Sequence, residues 1–265
     1  MKNSASRRYR FLFAVALLFI PLISRADIGN DKFIIEAYGG SSTQGAMAVR
    51  ENGKVHAIFI KNNEVNLLNQ FLAEKYGSGI HIVNKGASSA QAMDLLNGRY
   101  FYRKNKSWRE EMKRSPARII LLNFATNDAR HYHFNDIEPA YRVSPEKYTQ
   151  VMSQLVSIAR QEGKEVIVQE PHPLCGRAEK WDVAPYVTRL ERLSRTESVP
   201  LVRQYKRILH MKEWRSLMSP DCIHPSEALY RIKAKATFAV LVANFDSQLA
   251  AATRPANASG KMAKR

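Results

Sequence analysis

"FIIEAYGGSSTQG", Phe33 to Gly45, is an apolar run that ends in two glycines, two serines and a threonine. The run has the length of a buried strand, and glycines allow the chain to turn sharply at its end. Two readings fit. One is a plain strand-to-helix turn. The other is a tight corner that pushes a serine hydroxyl into a cleft, with the N–H groups of the next helix aimed at an anion. The choice depends on whether the rest of the chain supplies what a reactive serine needs: a base for its proton, a carboxylate to orient the base, and donors for an oxyanion.

Comparable apolar runs recur at wide intervals: Ile80–Val83, Arg118–Phe124 ("RIILLNF"), Val166–Gln169 ("VIVQ") and a short Pro200–Val202. Segments with helical spacing separate or follow them, at Val65–Lys75, Lys147–Gln161, Val183–Arg195 and Ser226–Leu249. Strands that read as continuous apolar runs and alternate with helices predict a parallel sheet covered on both faces. Five such strands make a three-layer α/β/α domain, in which ligands bind outside the carboxyl ends of the strands.

The residues after each run are therefore the informative ones. The first run leads into Gly39-Gly40-Ser41-Ser42-Thr43, and the second into Asn84-Lys85-Gly86. The third leads into Ala125-Thr126-Asn127-Asp128, and Asp221-Cys222-Ile223-His224 lies near the end of the domain. Ser41 is the candidate nucleophile, His224 the base and Asp221 the carboxylate, three residues away and able to reach the second ring nitrogen. Backbone N–H groups of Ser41 and Gly86 and the Asn127 amide are the candidate oxyanion hole.

With these residues in place the chain resembles the SGNH hydrolases, the GDSL-type esterases and lipases. The G-D-S-x-T block is matched by "GGSSTQG", the glycine of the second block by Gly86, G-x-N-D by "ATND" and D-x-x-H by "DCIH". The resemblance spans Phe33 to about Leu249. It implies a flavodoxin-like five-stranded parallel sheet, no metal or other cofactor, and cleavage of an acyl ester. Gly40 stands in place of the motif aspartate, and Ala125 in place of the motif glycine. Ser41 leaves Thr43 at +2, as the pattern requires, whereas Ser42 would put Gln44 there, so Ser41 is preferred.

The N-terminus reads as a secretory signal over residues 1–26: a basic head (Lys2, Arg7, Arg8, Arg10), an apolar Phe11–Ile23 and small residues at Ser24 and Ala26. It is too short and wrongly flanked for a stable membrane span. The reading places the domain, residues 27–252, outside the cytosol, secreted or periplasmic, with residues 253–265 a disordered basic tail. Beyond the signal, 36 Lys+Arg face 24 Asp+Glu, a net charge of +12. That excess favours an anionic partner such as envelope polysaccharide, and no nucleic-acid-binding motif accompanies it.

Cys175 and Cys222 are the sole cysteines and, in an oxidising compartment, a disulfide candidate, with two independent buried thiols the alternative. In the resembling fold both lie on loops leaving the same sheet edge, so a bond would tether the loop carrying Asp221 and His224. His131, His133 and His172 follow strand ends and are candidates to line a substrate cleft; a metal on the first two lacks a third ligand. Gly98 to Arg118 holds eight basic residues, two acids and four aromatics, which suits either an anionic glycan or a solvated helix with its rings turned inward. Lysophospholipids and acyl transfer remain alternatives to O-acetyl hydrolysis. A non-catalytic glycan-binding protein on the same fold is a further one.

Overall fold

The computed structural model describes residues 32–100 and 106–253. The expected signal, the tail beyond Thr253, and Phe101 and Tyr102 lie outside the described residues. In chain order the elements are β1 (Phe33–Gly39), α1 (Ser41–Gln44), β2 (Ala46–Glu51), β3 (Lys54–Phe59), α2 (Glu64–Tyr76), β4 (Ile80–Gly86), α3 (Ala92–Leu96) and α4 (Trp108–Arg114). The second half adds β5 (Ile119–Asn123), α5 (Thr126–Phe134), α6 (Pro145–Gln161), β6 (Glu165–Gln169), α7 (Ala184–Thr196), β7 (Leu201–Val202), α8 (Tyr205–Leu209) and α9 (Glu227–Ala251).

Five strands form one parallel sheet in the order β4-β1-β5-β6-β7. Because alternate side chains of a strand point to opposite faces, each apolar run feeds two cores. Ile35, Ile119, Leu121 and Ile167 pack with Leu68 and Leu72 of α2 and Leu241 and Phe245 of α9. Ile120, Leu122, Val166 and Val168 pack on the other face with Met152 and Leu155 of α6 and Leu190 of α7. The result is the expected three-layer α/β/α sandwich with flavodoxin-like strand order.

The helices begin where side chains can satisfy their first N–H groups. Asn63, Ser144 and Ser226 accept from Asn66, Lys147 and Leu229 at the starts of α2, α6 and α9. Trp108 and Tyr100, from the basic and aromatic stretch, face inward. Trp108 is 1% exposed and donates Nε1–H to the Leu155 carbonyl, and the Tyr100 hydroxyl reaches the Gly39 and Lys85 carbonyls. These two rings belong to the core.

One element was not foreseen. β2 and β3 form an antiparallel hairpin directly after α1. Its signal is Asn52-Gly53, both at positive φ (50° and 75°), the pair that closes a two-residue hairpin turn. The hairpin is tied to the loop that carries Asp221 and His224, because the Ala48 N–H donates to Ser219 Oγ.

Pairing β1 with both β4 and β5 sets Gly39 beside Gly86 and Asn123 at the carboxyl edge of the sheet. The chain order switches direction across β1, so the crevice that such a switch creates lies where the loops after β1 and β5 emerge. Those loops carry Ser41 and Asn127.

Candidate active site

Ser41 is the first residue of α1, a single turn seated on the sheet edge. Its close approach depends on Gly86: a Cβ there would lie 2.2 Å from the Gln44 backbone nitrogen and 2.6 Å from the Thr43 carbonyl carbon. Any side chain at Gly86 would lift the turn and move the serine with it.

His224 comes from the loop between Ser219 and Pro225, whose ends are held together by a bridge between Met218 and Pro225. Its Nε2 lies 2.8 Å from Ser41 Oγ and its Nδ1 lies 2.6 Å from Asp221 Oδ2. With the Nδ1 proton on the carboxylate side, Nε2 is left to accept the serine proton. Burial alone would raise the Asp221 carboxyl. Hydrogen bonds from the His224 ring and from the backbone N–H groups of His224 and Ile223 outweigh it, and hold Asp221 well below the usual carboxylate range. The ring is thus faced by a carboxylate that stays ionised.

Ser42 lines the same cleft as Ser41, but its hydroxyl has a different partner. Its hydroxyl is in hydrogen-bond contact with Tyr230, a buried ring of α9 whose own hydroxyl donates to the Ala46 carbonyl. Between the two serines the geometry favours Ser41.

Asn127 and Asp128 divide the work at the start of α5. Asp128 is fully buried, accepts the N–H groups of Ala125 and Ala92, and is pushed up to about 7 by that burial. It pins the turn. Ala125, where the family pattern has glycine, is held at φ 101°, a conformation strained for any residue with a Cβ. Asn127 faces the cleft, and its Nδ2 donates one hydrogen to the Ala90 carbonyl at 2.9 Å, leaving the second. Ser41, Asn127 and Ala90 line a small cleft with room for about 20 Å³ of water, close to a single molecule.

The expectation for Gly86 needs correcting. Its N–H donates to Asn84 Oδ1 at 2.9 Å, so it is already engaged, and the residue serves close packing under α1. The turn that follows β4 comes nearer the cleft: Ser89 adopts φ 64° and Ala90 is in the lining. A glycine in the sequence pointed to the right loop but not to the residue at its tip.

The three candidate cleft histidines part company. His131 Nδ1 is bound to Asp136 at 2.6 Å with Arg130 alongside, and His133 stacks edge-on to Phe134; neither is in the lining. His172 does reach the cleft, but from beneath and not from the rim: it is 1% exposed and its Nε2–H donates to the Ile223 carbonyl at 2.7 Å. Cys175 and Cys222 are joined in a disulfide, with Cα atoms 4.8 Å apart. Among the described residues no group of three His, Cys, Asp or Glu is placed to hold a metal ion.

A parallel α/β/α sandwich with a serine, an imidazole and a carboxylate in hydrogen-bond sequence at its carboxyl edge defines the class: a hydrolase-type α/β fold. The particular family follows from the sequence. The chain belongs to the GDSL-like lipase/acylhydrolase family, whose model matches residues 37–232. It is a hydrolase of the GDSL, or SGNH, type, a family that acts on esters. Solved structures share the fold at low identity. The acetylxylan esterase Axe2 from Geobacillus stearothermophilus is 17% identical over 80% of this chain and 96% of its own, with a TM-score of 0.60. The aryl esterase of M. smegmatis is 16% identical over 80% and 99%, with a TM-score of 0.56. A lipase/acylhydrolase from Enterococcus faecalis is 15% identical over 79% and 95%, with a TM-score of 0.59. Comparison with curated proteins gives no match.

Proposed function

We propose that the chain is an exported serine esterase that removes short O-acyl groups, acetyl foremost, from an envelope or extracellular polysaccharide. The observation that carries the chemistry is the run Asp221 Oδ2 to His224 Nδ1 at 2.6 Å and His224 Nε2 to Ser41 Oγ at 2.8 Å. His224 takes the Ser41 proton as Oγ bonds to the acyl carbon, and the carbonyl electrons move onto oxygen. The Ser41 N–H and the remaining Asn127 N–H stabilise that oxyanion. His224 then protonates the departing alcohol oxygen as the ester C–O bond breaks. Water enters by the same route in reverse: His224 removes its proton, the hydroxide adds to the acyl-enzyme, and Ser41 leaves with a proton from His224.

The narrow cleft beside Ser41 supports a short acyl group over a long one. Solved neighbours of this fold include an acetylxylan esterase and an aryl esterase, which suits the same choice. Export is supported by the signal-like leader and the Cys175–Cys222 bond. Among the described residues no helix is long and apolar enough to cross a membrane. The positive charge suits an acidic polymer.

The test is hydrolysis of p-nitrophenyl esters from acetate to palmitate by the mature protein beside Ser41→Ala. Activity on acetate that falls with chain length and disappears in the variant is the expected result. Preference for long chains would move the substrate to a lipid, and equal activity in both proteins would remove Ser41 as nucleophile.

A further inference from the structure

The segment after β6, Glu170 to Cys175, has no group in the acyl-transfer chemistry, yet it grips the loop that carries the base at three points. His172 Nε2–H donates to the carbonyl of Ile223, the residue immediately before His224. The Cys175 N–H donates to the Cys222 carbonyl at 3.1 Å. The two cysteine sulfurs are bonded, fixing the residue between Asp221 and Ile223. These contacts bracket the peptide that aims His224, and Cys222 is held at φ 59°, where a non-glycine residue needs support from its surroundings.

The base of the clamp is rigid. His172 is buried, and beneath it Lys233 is fully buried in an ion pair with Glu64 at 3.0 Å. Glu64 Oε1 accepts from Gln169 and Thr237, so the last residue of β6 is fixed too. From the opposite side Ser219 Oγ contacts Asp221 Oδ1 and the His224 carbonyl. The Ile223–His224 peptide is thus held from two sides, its N–H by Asp221 Oδ1 at 3.0 Å and its carbonyl by His172.

We propose that His172, acting with the Cys175–Cys222 bond, is a positioning residue for His224: it sets the distance from imidazole to serine without touching the reacting atoms. This rests on the reading of Ser41 and His224 as nucleophile and base. A misplacement of about 1 Å in such a pair can cost on the order of a hundredfold in rate, so a hydrogen bond one residue away suffices to matter.

The experiment compares His172→Leu, His172→Gln, Cys175→Ser/Cys222→Ser and the combined variant on p-nitrophenyl acetate, with Ser41→Ala as the control. Folded fraction is followed by circular dichroism, and labelling of the serine by a fluorophosphonate is timed in parallel. His172→Leu is expected to lower kcat by about 10- to 50-fold with KM within about twofold, and to slow labelling by the same factor. His172→Gln carries an amide nitrogen close to the place of Nε2 and is expected to recover to within about threefold of wild type. Because both restraints hold one loop, the combined variant should lose less than the product of the separate losses.

Full kcat in folded His172→Leu would overturn the proposal. So would a loss explained by the unfolded fraction alone, a glutamine variant no better than leucine, or multiplicative losses in the combined variant. If His172→Leu does not fold, the glutamine and disulfide variants carry the same test. Undiminished activity in Ser41→Ala would instead bring down the catalytic reading, and an inactive Ser41→Ala beside a fully active His172→Leu would bring down the clamp alone.

Discussion

A Cβ placed on Gly40 would stand 2.8 Å from Asn127 Nδ2, so the bare backbone at position 40 is what lets the Asn127 amide lie against the serine turn. The glycine that replaces the motif aspartate therefore leaves that approach open. Gly40 itself has ordinary extended backbone, φ −78° and ψ −158°, which alanine adopts without strain. Gly40→Ala should accordingly leave the melting temperature within a few degrees of wild type while pushing the amide off the oxyanion position. Loss of an oxyanion donor costs about 10²–10³ in kcat, and a partial displacement should cost about tenfold. Steady-state kinetics beside a thermal melt checks both halves.

The two serines give a sharper contrast. Ser41→Ala should lower kcat by at least about a thousandfold, because among the described residues no other hydroxyl is hydrogen-bonded to the His224 ring. Ser42→Ala removes only the contact with Tyr230 and should keep activity within about threefold, at a stability cost of about 1 kcal/mol. Urea melts and ester hydrolysis on the same preparations distinguish the two. A Ser42 variant as dead as the Ser41 variant would show that the turn, not one hydroxyl, is what counts.

Gly86→Ala tests whether this residue is there for packing. The added methyl would meet backbone atoms of Thr43 and Gln44, which cannot swing aside as a side-chain tip would. Overpacking of this kind costs about 1–3 kcal/mol and sometimes more, and here it should reach about 3 kcal/mol. A variant as stable and as active as wild type would overturn the packing reading.

Much of this was legible in the sequence because parallel strands buried on both faces leave long apolar runs, and each run ends at the edge where the candidate site lies. Ser41, Asp221 and His224 could be picked out because residue type and order are chemical requirements. The loop after β4 was harder. Gly86 and Ser89 are three residues apart, and which of them turns at the cleft depends on backbone angles that no side chain announces. The depth of His172 was not legible, because following a strand end says which edge a residue occupies, not how deep it lies. The hairpin from Ala46 to Phe59 did carry a local signal, Asn52-Gly53, but its strands lie off the main sheet and β3 is exposed, so no apolar run marked it.

The burial of His172 should leave a mark on the pH dependence of stability. Burial, with Lys233 of α9 adding to it, pushes its imidazole down to about 3; His224 acts in the same direction, while the Ile223 carbonyl and Asp221 oppose. In the unfolded chain a histidine takes up its proton near pH 6.5. Between those limits the unfolded state binds more protons, so stability is whole above about 6.5 and is lost as pH falls, by up to about 1.4 kcal/mol per unit. Asp221, depressed in the fold, adds a loss of the same sign only at lower pH, in the carboxylate range. Asp128, raised to about 7, works the other way and favours the fold as pH falls from 7 towards 4. Wild type alone would therefore show a mixture. The difference between wild type and His172→Gln isolates the histidine: from pH 7 to pH 5 wild type should lose about 2 kcal/mol more than the variant in urea unfolding. Parallel curves would mean that the imidazole takes its proton in the folded protein, and so cannot be the buried neutral donor to Ile223 that holds the loop of His224.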